Sequence, residues 1–266
     1  MKFSPIQSDC ESHFDRLYRF DHEITQRLNQ DRPVPVFLTG CDEVGRGSLI
    51  GPVVAAAVSF RDLTPHDMTA LSALNDSKQM KADTRTALAS HLLTCARVGI
   101  GEASRAEVDS LNVHQSSLLA MARAVGMLFS DLTNETNTDI FALLHQNDTE
   151  RAAFFRQFQS WPLNPDVYLL IDGRSRIKDF PAAQQQPVIK GDGQSACIAA
   201  ASVVAKTYRD ELMVRYAQDY PDYGWDSNMG YPTPVHQSAI QRLGITPLHR
   251  SNYKTVQNAR QTLLPL

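Results

Sequence analysis

Two adjacent carboxylates, Asp42 and Glu43, follow an apolar stretch and stand directly before a glycine-rich turn. The turn reads Gly45-Arg46-Gly47, and a second apolar stretch, residues 52–60, comes after it. An apolar strand would hold the acids rigidly, while the glycines would let polar backbone groups approach a ligand that a side chain would block. This pattern suits a divalent metal ion and a phosphate. Acidic pairs near glycines are also common on solvated turns, so the pair alone does not decide the matter.

Two further acids follow apolar runs later in the chain. Asp172 ends the run 167–172 and precedes a glycine, and Asp192 lies between two glycines after the run 187–190. We expect three strands that each finish in an acid, and ligands of α/β sheets bind near such strand ends. Taken singly, each Asp-Gly pair is typical of an ordinary turn. Three acidic strand ends together favour one shared site.

Four carboxylates in one place require compensating charge. Each like-charged pair near 4 Å costs about 4 kcal/mol at an effective dielectric of 20, and a domain's stability is only about 5–15 kcal/mol. The cluster therefore needs divalent cations or protons. A set of oxygen ligands without His or Cys favours Mg²⁺ or Mn²⁺ over zinc. Two such ions about 3.5–4 Å apart would activate a water and stabilise the leaving oxygen of a phosphodiester.

The remaining pattern predicts the elements that carry these acids. Apolar runs predict strands over 34–42, 52–60, 98–103, 167–171 and 187–190, and helical spacing predicts helices over 8–30, 81–95, 114–129, 195–217 and 236–242. Asp76 or Ser77 could cap the second of these helices, and Ser104 with Glu107 resembles a capping box. Residues 130–165 change character and are interpreted as an insertion.

Composition limits the class of protein. The chain has 266 residues, of which 42% are hydrophobic and 21% charged, with a net charge of −3, as expected for a soluble globular protein. Nucleic-acid binding would have to come from local Lys and Arg clusters. The widely spaced cysteines predict reduced, packed thiols, at Cys10, Cys41, Cys95 and Cys197. The absence of a signal-like or membrane-length apolar segment predicts a cytoplasmic protein without a membrane partner, and a monomer is the default.

Six blocks of sequence complete the pattern. They are, in order, GCDEVGRGSLIGPVVAAAV, LNDSKQM, LLIDG, VIKGDGQSACIAAASVVAKTYRD, MGYPTPVH and LHRSNY. Together they resemble ribonuclease HII, the bacterial type 2 ribonuclease H, over about residues 36–130 and 166–256. Ser48 stands where that family usually has proline, and the extra N-terminal arm and the long 130–165 stretch are further departures. The related ribonuclease HIII carries a lysine version of the turn and a glutamate for one aspartate, so Arg46 and Asp192 favour HII.

The resemblance implies an α/β fold, with a ribonuclease H-like mixed five-stranded sheet flanked by helices and a C-terminal helical substrate-binding region. It divides the chain into an N-terminal helical arm (1–34), a catalytic core (35–210) that contains the 130–165 insertion, and the C-terminal region and tail (211–266).

The resemblance also implies an activity. The enzyme would hydrolyse the RNA strand of RNA–DNA hybrids and incise 5′ of single ribonucleotides in duplex DNA, leaving 3′-hydroxyl and 5′-phosphate ends, as in ribonucleotide excision repair. The catalytic and metal-binding residues would be Asp42, Glu43, Asp172 and Asp192, with two Mn²⁺ or Mg²⁺ ions. The substrate-binding residues would be Gly45, Arg46, Gly47, Lys78 and Tyr231. Backbone groups of the glycine turn would approach the 2′-hydroxyl that distinguishes ribose from deoxyribose, and Tyr231 would stack on the sugar after the ribonucleotide.

Several residues have weaker indications. Lys190, Lys206 and Arg209 lie near Asp192 in sequence and could hold phosphates, although Arg209 could equally pair with Asp210 or Glu211. For His114 and His236, packing or solvation is the default. The tail, residues 261–266, resembles a short sliding-clamp peptide, with a frayed terminus as the alternative.

Two other functions remain open at this point. The same four acids could serve another nuclease of the ribonuclease H-like fold, such as an exonuclease or a junction resolvase. A non-catalytic hybrid-binding module is the second alternative, but it would be expected to lack one or more of the acids.

Overall fold

A mixed sheet of five strands lies at the centre of the protein, in the order β3-β2-β1-β4-β5. The computed structural model describes residues 12–30, 32–74, 80–130, 140–158 and 166–262, and the count of strands refers to these. The strands are β1 (Phe37–Val44), β2 (Val53–Phe60), β3 (Ala96–Ala103), β4 (Val167–Asp172) and β5 (Gln185–Val188). The predicted fold class, an α/β sheet of this composition flanked by helices, is confirmed.

The directions of the strands bring the acids to one end of the sheet. β1, β2 and β3 form an antiparallel meander, whereas β4 pairs in parallel with β1, and β5 in parallel with β4. Cys41 lies opposite Ile171 in the register of β1 and β4. The next residue on each strand is an acid, so Asp42 and Asp172 are at the same level of the sheet.

Two long helices cover the two faces of the sheet. The helices are α1 (His13–Asn29), α2 (Pro65–Leu71), α3 (Ala82–Cys95), α4 (Arg105–Leu111), α5 (Val113–Leu128), α6 (Asp148–Arg156), α7 (Ala196–Asp219), α8 (Trp225–Asn228), α9 (Pro234–Leu243) and α10 (Lys254–Thr262). α5 packs on β3 and β2, and α7 packs on β1 and β2. Both are buried along much of their length, as expected for helices that face the hydrophobic core.

Some predicted boundaries were wrong. Asp42 and Glu43 lie inside β1, which continues to Val44. β5 ends at Val188, and Asp192 lies beyond it in a short 3-10 turn, Gly191–Gly193. The N-cap of α3 is Lys81, without a side-chain cap hydrogen bond; the predicted capping residues, Asp76 and Ser77, lie outside the described residues. The capping box of Ser104 and Glu107 is present.

The N-terminal helix and the segment after α5 are both tied to the core. On α1, Asp21 is buried, and its carboxylate accepts a hydrogen bond of 2.8 Å from the backbone N–H of Cys197, at the start of α7. On α6, Arg151 is buried and pairs with Glu102 of β3 at 3.1 Å. Among the described residues, no helix is long and apolar enough to cross a membrane.

Candidate active site

The acids of β1 and β4 meet at the end of the sheet. Asp42 is only 6% exposed. The Oδ1 atom of Asp172 accepts a hydrogen bond of 2.7 Å from the backbone N–H of Gly191. This bond fixes the 3-10 turn that carries Asp192 beside the end of β4. The four sequence-predicted acids therefore lie on three adjacent segments of one edge.

The raised pKa of Asp42 reflects the repulsion between the acidic side chains of this group. Burial raises the pKa of its carboxyl well above the usual range, and the nearby charges of Glu43 and then Asp172 raise it further. The hydroxyl of Ser202 and the N–H of Glu43, which donates at 2.7 Å, act in the opposite direction. A bound cation would stabilise the charged form of a carboxyl that is buried close to two other acidic side chains.

The donor set fits a hard divalent cation, because all four side chains offer only carboxylate oxygens. Within the described part of the chain, no three of them place one oxygen each within 4.8 Å of the others. The carboxylates are therefore spaced more widely than the ligands of a single preformed ion site. Arg46 supplies a positive charge to the group, since its Nη1 atom donates to Oε1 of Glu43 at 3.0 Å.

The glycine turn lies against a buried arginine. Gly45 has φ +91°, and a Cβ there would come within 2.2 Å of Nε of Arg209. Arg209 has no exposed surface, and it donates to the carbonyls of Met229 at 3.0 Å and Ile50 at 3.4 Å. It packs against the side of the turn that faces the protein interior. Because it is buried, it cannot contact a phosphate in solvent. The suggested phosphate role of Arg209 is therefore wrong. Its alternative role, a structural pairing with Asp210 or Glu211, stays a prediction, and the charge of Asp210 favours the charged form of Arg209.

The other two basic residues suggested near Asp192 differ in their surroundings. Lys206 pairs with Asp210 at 2.6 Å, and Asp210 also binds Arg85 at 2.7 Å. Lys190 is exposed and has a left-handed backbone conformation. Of these two lysines, Lys190 is the one exposed to solvent.

Sequence reasoning missed Arg250, which organises the glycine turn. This residue is completely buried, and its guanidinium donates to backbone carbonyls on both sides of the turn. The acceptors are Gly45 and Ser48, both at 2.8 Å, and Gly51 and Pro52, both at 2.9 Å. Arg250 belongs to the LHRSNY block of the family resemblance. Nothing in a single sequence shows which groups its side chain contacts.

Replacing Arg250 with Lys should destabilise the protein by about 2–4 kcal/mol. One ammonium cannot reach carbonyls in four directions, and each buried carbonyl that loses its partner costs about 1–3 kcal/mol before relaxation. Urea unfolding monitored by circular dichroism measures the change.

Arg46→Lys is the matched control for stability, because the side chain of Arg46 is 51% exposed and its loss should cost less than about 0.5 kcal/mol. If Arg250→Lys unfolds at the same urea concentration as Arg46→Lys, Arg250 does not hold the turn.

Tyr231 borders the turn on its open side. A Cβ on Gly47 would come within 3.6 Å of the Tyr231 ring, and the guanidinium of Arg209 lies 5.8 Å from the centre of that ring. The carbonyl of Arg46 accepts a hydrogen bond from the hydroxyl of Tyr253. The turn and Tyr231 are thus neighbours, as a shared role in substrate binding requires. Lys78 falls outside the described residues.

Buried aromatic side chains support Tyr231 from behind. His236 is fully buried: its Nε2 atom accepts a hydrogen bond of 3.0 Å from Nε1 of Trp225, and its Nδ1 atom lies 3.0 Å from the carbonyl of Tyr231. His249 packs against His236, and its Nδ1 atom accepts from the N–H of Thr246 at 2.9 Å. His236 is a packing residue.

His114, the other histidine considered in the sequence, is not part of this cluster. Its Nε2 atom lies 3.3 Å from Oγ of Ser175.

This cluster should make stability depend on pH. Burial, followed by the neighbouring His236, lowers the pKa of His249 from 6.5 to about 4, and burial also lowers the pKa of His236. Arg260 acts on His249 in the same direction. The unfolded chain therefore binds more protons, so the stabilisation is complete above about pH 6.5 and is lost as the pH falls towards 4, by up to about 3 kcal/mol for His249.

The variant His249→Asn keeps an acceptor for the N–H of Thr246 but does not titrate. Urea unfolding between about pH 6.5 and 4.5 should show a smaller loss of stability for the variant than for the wild type. Parallel losses would show that His249 is not the titrating group.

A family model and a curated relative that match this chain carry the same description. A family model described as Ribonuclease HII matches residues 39–256. The Ribonuclease HII of Ruegeria pomeroyi is 46% identical over 220 residues, which cover 82% of this chain and 76% of the relative.

Two solved structures resemble the fold. The PCNA:RNase HII complex from Archaeoglobus fulgidus matches with a TM-score of 0.54 at 20% identity, over 84% of this chain and 97% of that one. Bst-RNase HIII in complex with Mn²⁺ matches with a TM-score of 0.58 at 14% identity, over 85% of this chain and 70% of that one.

Proposed function

Because the chain belongs to the ribonuclease HII family, whose members are metal-dependent endoribonucleases acting on RNA–DNA, we propose that it incises duplex DNA on the 5′ side of single ribonucleotides. It would also hydrolyse the RNA strand of longer hybrids. The products would carry 3′-hydroxyl and 5′-phosphate ends.

One observation carries this proposal: the acids lie beside a glycine turn whose residues Arg46 and Gly47 are exposed. Asp42 and Asp172 are at the same level of the sheet, and β1, which carries Asp42 and Glu43, leads directly into the glycine turn. An enzyme for DNA alone needs the acids but has no need of a backbone surface that recognises a 2′-hydroxyl. The combination favours a nuclease for ribonucleotides over an exonuclease or a resolvase.

We propose that Asp42, Glu43, Asp172 and Asp192 hold Mg²⁺ or Mn²⁺ at this edge. Two such ions would supply an activated water and charge stabilisation for the leaving oxygen. The chain's own contribution is positioning: β1 and burial fix Asp42, and the N–H of Gly191 orients the Asp172 carboxylate. Neither histidine of the buried cluster is needed as a base.

We propose that Gly45, Arg46 and Gly47 contact the ribonucleotide through their backbone, with Tyr231 against the following sugar. Arg250 and Arg209 hold the turn from the protein side, so its outer surface faces the substrate. Tyr231, Arg250 and Tyr253 all come from residues 211–266, which supports a substrate-binding role for that region. Lys78 remains a proposed phosphate contact.

We further propose a cytoplasmic monomer whose tail contacts a sliding clamp weakly. The structural relative from Archaeoglobus fulgidus is in complex with PCNA, and the glutamine and leucines of residues 261–266 are the candidate segment here. The side chains of that segment lie outside the described residues.

A covalently closed circular DNA with one ribonucleotide tests the proposal against its alternatives. In the presence of Mg²⁺ or Mn²⁺ the enzyme should convert the circle to a nicked form, because an endonuclease requires no strand end. The matched all-DNA circle should stay closed. An enzyme that degrades only linear DNA would be an exonuclease, and nicking of both circles would remove the ribonucleotide specificity.

A further inference from the structure

A second group of potential metal ligands lies beside the end of β2 at Phe60, away from Asp42. It consists of Asp67 on α2, with His91 and Cys95 on α3. α3 leads into β3 at Ala96, which pairs with Phe60 at the far end of β2. Asp42 pairs with Ala56, in the middle of β2 and away from the Phe60 end. This group is therefore separate from the catalytic acids.

The three side chains converge closely. One ligand atom from each lies within 4.8 Å of the other two, and within the described ranges no other group of three His, Cys, Asp or Glu side chains meets this criterion. Oδ1 of Asp67 is 3.0 Å from Nε2 of His91. His91 and Cys95 are four residues apart on one helix, which places them on the same face.

The carboxylate of Asp67 is held in place by groups that leave one oxygen for a ligand. Its Oδ2 atom accepts hydrogen bonds from the N–H of Thr64 at 2.9 Å and from the hydroxyl of Thr64 at 2.6 Å. The Oδ1 atom faces His91 instead. A hydrogen-bonded carboxylate with one oxygen directed at the neighbouring ligands is the arrangement that outer partners give metal ligands in proteins.

The other two side chains are largely buried, with the His91 side chain 20% exposed. Nε2 of His91 is buried and, despite its distance to Asp67, forms no well-directed hydrogen bond. Cys95 is 6% exposed and is a free thiol. An Asp-His ion pair beside a packed cysteine is the simpler interpretation, but the 3.0 Å contact between Nε2 of His91 and Oδ1 of Asp67 is not aligned as a hydrogen bond. A bound cation would satisfy all three groups.

The chemistry of the group selects the cation. Its donors are one oxygen, one nitrogen and one sulfur, which suits zinc and is unlike the oxygen-only set of the catalytic acids. We propose that Asp67, His91 and Cys95 bind a zinc ion that links α2 to α3. Water completes the tetrahedral site, and the His66 ring, whose centre is 5.8 Å from that of His91, borders it. Since this site is separate from the acids, zinc bound there takes no part in the cleavage and acts by joining the two helices.

The test is Co²⁺ titration of the full-length Asp172→Asn protein in excess Mg²⁺, which occupies oxygen-only sites and competes poorly for a thiolate. Zinc replaces cobalt at such sites, and a Co²⁺–thiolate bond gives a near-ultraviolet charge-transfer band. We expect one equivalent of Co²⁺ to produce the band and one equivalent of Zn²⁺ to remove it. Absence of the band in this folded protein would overturn the proposal.

Variants assign the ligands. Cys95→Ser should abolish the band, and Asp67→Asn and His91→Gln should each weaken Co²⁺ binding at least about tenfold. Cys10→Ser, a control at another cysteine of the chain, should bind like the parent protein. A band that persists in Cys95→Ser, or one lost in Cys10→Ser, would contradict the proposed site. The readout is independent of nuclease activity.

Discussion

Asp172→Asn is expected to lower turnover at least about 10³-fold while the protein remains folded and equally or more stable. The substitution removes one of the proposed metal ligands, and cation stabilisation of the transition state is worth several kcal/mol, of which about 4 kcal/mol corresponds to 10³. Stability should not suffer, because the charge of Asp172 contributes to the raised pKa of Asp42. An Asn oxygen can still accept the hydrogen bond from Gly191.

Single-turnover cleavage with saturating Mg²⁺ or Mn²⁺, together with urea unfolding at pH 7, measures both parts of this prediction. Asp179→Asn is the matched control: Asp179 is exposed and has φ +65°, a conformation that Asn tolerates. It should cleave like the wild type. Retained activity in Asp172→Asn would remove Asp172 from the metal site, and a large loss of stability would refute the electrostatic account.

Gly47→Ala should reduce kcat/KM on a single-ribonucleotide duplex by about 10- to 100-fold without unfolding the protein. The fold should persist because Gly47 does not have positive φ and the new methyl group would make an ordinary contact, 3.6 Å from the Tyr231 ring. Activity should fall because the methyl group would occupy the space through which the sugar approaches the turn. Loss of backbone contacts to the 2′-hydroxyl corresponds to about 1–3 kcal/mol.

The comparison with Gly45→Ala separates binding from folding. Gly45 has φ +91°, and its Cβ would collide with buried Arg209, so that variant should lose stability as well as activity. Thermal unfolding and steady-state cleavage of both variants provide the measurement. If Gly47→Ala cuts at the wild-type rate, the turn does not recognise the ribose through close backbone contact.

The sequence was sufficient for the parts of the site that depend on local pattern. The apolar run before Asp42 and the run that ends at Asp172 predict strands, and strand ends in such sheets meet at one edge. The convergence of Asp42 and Asp172 could therefore be predicted before the structure. The position of Asp192 was less accurate, because a glycine on each side favours a turn as readily as a strand end.

Long-range contacts were not predictable. Arg209 lies on an alanine-rich helix that is buried around most of its circumference, so periodicity could not show which way its side chain points. Arg250 contacts carbonyls about 200 positions earlier in the chain, and an isolated arginine carries no sign of that. Asp67 and Cys95 converge only because α2 packs on α3, and residues so far apart in sequence form no recognisable ligand motif.

The most direct test of the central claim is cleavage of an end-labelled linear duplex that contains one ribonucleotide, compared with the same duplex of DNA only. With Mg²⁺ or Mn²⁺, we predict a single nick on the 5′ side of the ribonucleotide, with a 3′-hydroxyl and a 5′-phosphate, and no cut in the control. A duplex that stays intact at the ribonucleotide, or equal cutting of the all-DNA control, would contradict the account.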